Sequence, residues 1–118
     1  MNIPDLQKRL ADFAAERDWD QYHSPKNLSM GLAAEAAELL EIFQWLTEAQ
    51  SSMIMDDEKG MAHVKEEMAD VFIYLARLAT KLNVDIEAAV LKKIELNEAK
   101  YPVELSKGNA TKYNKRPS

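Results

Sequence analysis

The sequence contains no cysteine, which excludes disulfide bonds, thiolate metal sites and a cysteine nucleophile. It has only 3 glycines and 4 prolines, and runs of β-branched residues are scarce. These shortages argue against a β-rich fold, and the abundant Ala, Leu, Glu and Lys favour helices. No apolar run approaches the roughly 20 residues of a membrane span, and the first residues lack the apolar segment of a signal peptide. We therefore expect an all-α, cytoplasmic protein without a membrane partner.

The charge of the 118-residue chain is unevenly distributed. Residues 107–118 hold four basic residues and no acid, which leaves 11 basic against 20 acidic residues elsewhere, a net charge of −9. Such an acidic body argues against binding to a nucleic-acid polymer. We expect one helical domain over residues 1–106 and a basic tail over 107–118. The tail either reaches an anionic ligand or is a solvated, disordered terminus.

The hydrophobic periodicity predicts four long helices. They are expected over about residues 4–18, 27–47, 61–82 and 86–100. Residues 51–60 are expected to form a loop, and its acidic run indicates the start of the third helix. Asp85 is the predicted N-cap of the fourth helix. Because the connections are short, neighbouring helices should be antiparallel, which indicates a four-helix bundle.

The second predicted helix carries an acidic residue where an apolar one is expected. At roughly 100° per residue, Glu35 falls in the middle of the apolar stripe and Glu38 falls at its edge. A buried carboxylate is costly unless it is paired or bound to a cation. Glu35 therefore calls for a partner elsewhere in the chain.

The third predicted helix supplies a matching acidic pair. Glu67 lies on the flank of its apolar stripe, with Asp70 and Tyr74 on the same side, whereas Glu66 points away beside Arg77. Each pair, ExxE or ExxD, is separated by about 60° around its helix and about 4.5 Å along it, so both carboxylates face one way.

Two inward-facing pairs are the basis of a predicted metal site. Four converging carboxylates repel one another unless a divalent cation lies between them, and oxygen ligands favour Mg²⁺ or Mn²⁺. A di-iron site would require Glu-x-x-His pairs, and neither His23 nor His63 has a Glu three residues earlier. Lys93 and Asn97 fall within the apolar stripe of the fourth helix, where they could offset the carboxylates or contact a phosphate. The competing interpretation is that all these groups form ordinary salt bridges.

Aromatic residues are concentrated in the polar connection before the second helix. Trp19, Tyr22 and His23 suit stacking on a flat ligand such as a nucleobase. The alternative is that Trp19 simply caps the core. No glycine-rich phosphate loop or dinucleotide fingerprint occurs in the sequence, which argues against a conventional ATPase or dehydrogenase.

The acidic motifs have the spacing of a known family. Glu35-Ala-Ala-Glu38, followed after 28 residues by Glu67-Met-Ala-Asp70, resembles the ExxE…ExxD signature of the all-α NTP pyrophosphohydrolases, the MazG-like enzymes. Further segments resemble the dCTP pyrophosphatase branch, namely RDWDQYHSPKNL, EIFQW, DVFIYL, KIELNEAKYP and the Lys112-Tyr113 pair.

This resemblance implies hydrolysis of a nucleoside triphosphate, with dCTP or a modified dNTP foremost, to the monophosphate and pyrophosphate. It implies that Mg²⁺ is bound by the four acids, Glu35, Glu38, Glu67 and Asp70, and that the base and sugar pocket is lined by Trp19, His23, Trp45 and Tyr74. It places Lys93, Asn97, Lys112 and Tyr113 at the phosphates, in a homodimer or homotetramer. Two other functions stay open: a catalytically silent module that binds a nucleotide or a partner protein, and a purely structural bundle.

Overall fold

The computed structural model describes residues 1–116, and within them the secondary structure is entirely helical. The helices are α1 Ile3–Glu16, α2 Pro25–Phe43, α3 Glu48–Ser52, α4 Glu58–Leu82, α5 Ile86–Lys100 and α6 Val103–Ser106. The four long ones correspond to the four predicted helices, and the all-α class is confirmed. No helix in this part of the chain is both long enough and apolar enough to cross a bilayer. The chain forms two compact units, Met1–Val84 and a second that begins at Asp85. The boundary expected at residue 107 stays a prediction.

The first unit is built on α4, against which both α1 and α2 pack. Gln7 on α1 donates a hydrogen bond from Nε2 to Thr80 Oγ1 on α4, over 3.1 Å. The buried apolar residues are few and mostly small: Ala14, Leu28, Val64, Ala76 and Ala79. Small side chains allow the helix axes to approach closely, but they bury little apolar area.

The end predicted for the first helix was two residues too late. Asp18 has a φ of +55°, in the left-handed region, which an α-helix cannot continue through. A 3₁₀ turn follows at Asp20–Tyr22 and carries the chain into α2. Ser24 is the N-cap of α2, and its Oγ accepts from the backbone N–H of Asn27 at 3.1 Å.

The region after α2 departs most from prediction. The helix expected to reach residue 47 ends at Phe43, and the loop expected from residue 51 includes the end of α3 and a 3₁₀ turn at Ile54–Asp56. Thr47 caps α3 in a reciprocal capping box: its Oγ1 accepts from Gln50 N at 3.1 Å, and its own N–H donates to Gln50 Oε1 at 2.9 Å. Because a threonine hydroxyl satisfies a free amide at an N-cap, this arrangement starts a new helix directly after Thr47.

The second unit begins with the predicted cap. Asp85 Oδ1 accepts from the backbone N–H of Ala88 at 3.0 Å, and α5 ends at Lys100 as expected. The last described residues contact the end of that helix. Tyr113 stands edge-on to Tyr101 with 6.1 Å between ring centroids, and Arg116 donates from Nη2 to the carbonyl of Lys100 at 2.5 Å. The described part of the tail is therefore attached to α5.

Candidate active site

The packing of α2 on α4 brings together three of the predicted acids. One carboxylate oxygen from each of Glu35, Glu38 and Glu67 lies within 4.8 Å of the others. Glu35 is half-buried, Glu38 is exposed and Glu67 is only 8% exposed. His63, one turn before Glu67, places Nε2 at 3.5 Å from Glu67 Oε1.

The protein alone does not satisfy these carboxylates. The Oε2 atoms of Glu35 and Glu67 are shielded from solvent and have no hydrogen-bond partner among the described residues. Burial, followed by the neighbouring carboxyl groups of Glu38, Glu67 and Asp70, raises the pKa of Glu35 to about 7. Convergent oxygens without partners are the donor set that Mg²⁺ or Mn²⁺ takes, so these residues fit a divalent cation.

A cavity of about 300 Å³ lies beside the acids, within the first unit. Its walls are formed by Leu10, Phe13, Ala14, Trp19, His23, Leu28, Glu35, Asp70, Ile73, Tyr74 and Arg77. Glu35 and Asp70 line this cavity from opposite helices, α2 and α4. The cavity therefore joins an acidic side to a wall of apolar and aromatic groups, which is the usual make-up of a small-molecule site.

The aromatic walls are held by specific contacts. The ring of Trp19 stands edge-on to that of Phe13, with 5.8 Å between centroids, and Trp19 remains 45% exposed. Tyr74 lies against the backbone of α2 at Gly31, where an added Cβ would be 2.3 Å from Tyr74 Cε1. Trp19 thus packs on α1 and also lines the cavity, and its stacking on a ligand stays a prediction.

Arg77 was expected to point away from the acids, and the structure corrects this. It is 4% exposed and lines the cavity, where its Nη2 donates to Asp20 Oδ1 at 3.0 Å and to His23 Nδ1 at 3.1 Å. Lys81 also donates to Asp20 Oδ1, at 2.6 Å. The sequence did hold a signal, because Arg77 follows Asp70 by seven residues, or two helical turns, and so shares its face.

Other predicted site residues lie elsewhere. Trp45 is 86% exposed, follows the end of α2 and is not part of the cavity wall. Lys93 and Asn97 are exposed on α5 in the second unit, and Lys112 and Tyr113 lie in the tail of that unit. Their contacts with a substrate stay predictions.

Acidic pairs on two packed helices of an all-α protein are the arrangement expected of the class that the sequence resembles. The chain belongs to the MazG-like family, whose model matches residues 32–115. It is similar to rat dCTP pyrophosphatase 1, with 44% identity over 98% of this chain and 68% of the relative, and to the human protein of the same name, with 40% identity over the same shares. It is also similar to the crystal structure of a pyrophosphatase from Archaeoglobus fulgidus, with a TM-score of 0.78 and 42% identity over 84% of this chain and 91% of that one. The family assignment made from the acidic motifs is confirmed.

Proposed function

We propose that this protein is a magnesium-dependent nucleoside triphosphate pyrophosphohydrolase. The observation that carries the proposal is that Glu35 belongs both to the carboxylate cluster and to the wall of the aromatic cavity. A cation bound to the cluster would meet a polyphosphate, and the cavity would receive the base of the same nucleotide. Similarity to proteins named dCTP pyrophosphatase 1 makes dCTP, or a modified dNTP, the substrate to test first.

The carboxylates of Glu35, Glu38, Glu67 and Asp70 are the proposed ligands of the cation, and one of them accepts a proton from the attacking water. When bound, Mg²⁺ supplies positive charge at the phosphates and lowers the pKa of water. The hydrolysis breaks one bond of the α–β bridging oxygen, and the oxygen of the attacking water forms a bond to the phosphorus that the bridging oxygen leaves. The products are the nucleoside monophosphate and pyrophosphate.

The cavity wall is the proposed base site. A nucleobase stacked on an aromatic side chain gains about 1–3 kcal/mol, and Trp19 is half-exposed on this wall, where it can provide such a surface. His23 and Tyr74 complete the base and sugar site, with Trp45 added by resemblance. The same resemblance assigns the phosphates to groups of the second unit: Lys93, Asn97, Lys112 and Tyr113.

We infer that the working form is a homodimer or homotetramer. Leu28 is the largest of the fully buried side chains, whereas many large apolar residues are exposed, among them Met30, Leu40, Trp45, Met68, Phe72 and Leu91. A small chain that leaves so many large apolar side chains exposed is expected to cover part of them with further copies of itself. Light scattering coupled to size-exclusion chromatography tests this inference, and a monomer of 13.4 kDa at micromolar concentration would contradict it. The cytoplasm stays the predicted compartment.

The decisive experiment measures pyrophosphate and monophosphate release from a panel of dNTPs and NTPs, with Mg²⁺, with Mn²⁺ and with EDTA. We expect metal-dependent release from one or a few nucleotides. Glu67→Gln should lose this activity, and Glu66→Gln is the matched control, because Glu66 is the adjacent, exposed carboxylate of α4. A correctly folded protein that hydrolyses none of the nucleotides would contradict the proposal.

A further inference from the structure

The wall of the cavity holds a buried guanidinium that the proposed reaction does not use. Arg77 donates to the same ring nitrogen of His23 through two of its nitrogens, Nε at 3.3 Å and Nη2 at 3.1 Å from Nδ1. Arg77 is held in place by Asp20, whose Oδ1 accepts hydrogen bonds from both Arg77 and Lys81. This cluster joins α4 to the turn that carries Trp19 and His23.

The chemistry of the two side chains fixes the position of one proton. A guanidinium has five N–H donors and no acceptor, so His23 Nδ1 can only accept from it. An imidazole that accepts at Nδ1 carries its proton on Nε2. The opposite tautomer would set an N–H against the Arg77 donors, and a flipped ring would set a C–H there.

We propose that Arg77 is a positioning residue that holds His23 as the neutral Nε2–H tautomer, so that the cavity wall offers a hydrogen-bond donor to an acceptor atom of the bound nucleobase. The proposal rests on the proposed function, because it assigns the base to this cavity. It also gives the wall a polar group with a defined direction of hydrogen bonding. Since an N–H donor selects against ligand groups that only donate, His23 becomes a determinant of base choice.

The charges around His23 agree with a neutral ring. Burial lowers the pKa of His23, Arg77 and Lys81 lower it further, and Asp20 acts in the opposite direction. Glu35 and Asp70 are the other charged groups on the cavity wall, from α2 and α4. Because Arg77 is itself paired with Asp20, a cation can remain beside the imidazole without an unbalanced buried charge.

Nitrogen-15 NMR of the imidazoles in the full chain, without nucleotide, tests the tautomer directly. The chain has 2 histidines, and a His63→Gln sample identifies the signals of His23. We expect an unprotonated Nδ1 and a protonated Nε2 for His23. Arg77→Met should shift His23 toward the averaged signals of exchanging tautomers. A proton on Nδ1, or averaging in the unsubstituted protein, would overturn the proposal.

Steady-state kinetics then tests the contact with the base. His23→Leu removes the donor and should raise KM about 3- to 10-fold, the effect of one neutral hydrogen bond. His23→Gln keeps an amide N–H near the position of Nε2, so it should recover much of the affinity. Arg77→Met should raise KM in the native background but add little to His23→Leu, because it acts through His23. A wild-type KM in His23→Leu would overturn the base contact.

The two measurements separate this proposal from the proposed function. Failure of the unsubstituted protein to hydrolyse any nucleotide would overturn the enzyme assignment and the base contact with it, while the spectrum still decides the tautomer. If Arg77→Met does not fold, the spectrum of the unsubstituted protein decides the tautomer, and the kinetics of the two His23 variants decide the base contact.

Discussion

Gly31→Ala is the change that tests the wall of the cavity most directly. Gly31 lies in the middle of α2, and the ring of Tyr74 occupies the space where a side chain would begin. An added Cβ would be 2.3, 2.7 and 2.8 Å from three ring carbons of Tyr74, against the roughly 3.5–4.0 Å of an ordinary carbon contact. The ring would therefore have to move by about 1 Å or more.

Two opposing effects set the size of the change in stability. Alanine in a helix interior is favoured over glycine by about 1 kcal/mol. Adding a methyl group to an occupied space usually costs about 1–3 kcal/mol. The balance predicts a loss of about 0–2 kcal/mol, which lowers Tm by up to roughly 8 °C in a chain of this size. Because Tyr74 lines the cavity, its displacement should also raise KM for the nucleotide.

Gly60→Ala is the matched control, since Gly60 is also helical, in α4. Its added Cβ would approach Asp57 Oδ2 at 2.7 Å, but that carboxylate makes no capping hydrogen bond and can rotate away. This variant should gain most of the helical preference and raise Tm. Thermal melting by circular dichroism and steady-state kinetics on the same samples provide the comparison.

The contact between Gly31 and Tyr74 also predicts a coupling. In a Tyr74→Ala background the space beside Gly31 is empty, so Gly31→Ala should there stabilise the protein by about 1 kcal/mol. If Gly31→Ala raised Tm as much as Gly60→Ala does in the native background and left KM unchanged, the ring of Tyr74 would not rest on Gly31 in solution.

Three further predictions concern the acids and the base site. Glu38→Gln should abolish pyrophosphate release without lowering the metal-free Tm, whereas Glu41→Gln, one turn further along α2 and exposed, should keep the rate; a wild-type rate for Glu38→Gln would remove Glu38 from the site. Trp19→Ala should raise KM about fivefold or more through the loss of stacking, with a smaller effect on kcat, and an unchanged KM would exclude Trp19 from the base site. In EDTA, the free energy of unfolding should fall as pH rises from about 4.5 to about 7, because the raised pKa of Glu35 keeps this residue protonated in the folded chain while it ionises in the unfolded one. Glu35→Gln should flatten that pH dependence. Identical curves of Tm against pH for the two proteins would contradict the prediction.

Local signals in the sequence predicted the long helices well. The start of α5 at Asp85 and its end before Pro102 follow from a capping side chain and a residue that cannot continue a helix. The facing of Glu35 and Glu67 follows from helical periodicity, since each stripe must turn toward the other helix. The capping box at Thr47 was also local, with the Thr-x-x-Gln pattern in plain view, but the apolar periodicity of the residues before it masked the break.

Contacts between distant residues could not be predicted in the same way. The burial of Arg77 depends on Asp20, 57 residues earlier, because without that carboxylate a buried guanidinium would be too costly. From the sequence alone, Gly31 is only a residue that lowers the stability of a helix. The structure shows the reason for it, because the ring of Tyr74 occupies the space that a side chain would need. In both cases the residue type is required by a contact with a residue distant in sequence, and no periodicity along the chain identifies that residue.

Glu35 lowers the stability of the fold and is also a proposed ligand of the cation. A leucine at this position would fit the apolar stripe of α2 and give a more stable helical unit, whereas Glu35 leaves a carboxylate oxygen buried without a partner among the described residues. A cation that binds the folded chain and not the unfolded one offsets that loss through mass action, by an amount that grows with the logarithm of its concentration relative to Kd. The unfolding of this chain and the binding of the cation to its site are therefore linked equilibria. A charged residue at a position where the helix pattern requires an apolar one is unfavourable for packing. Such a residue therefore indicates a functional site.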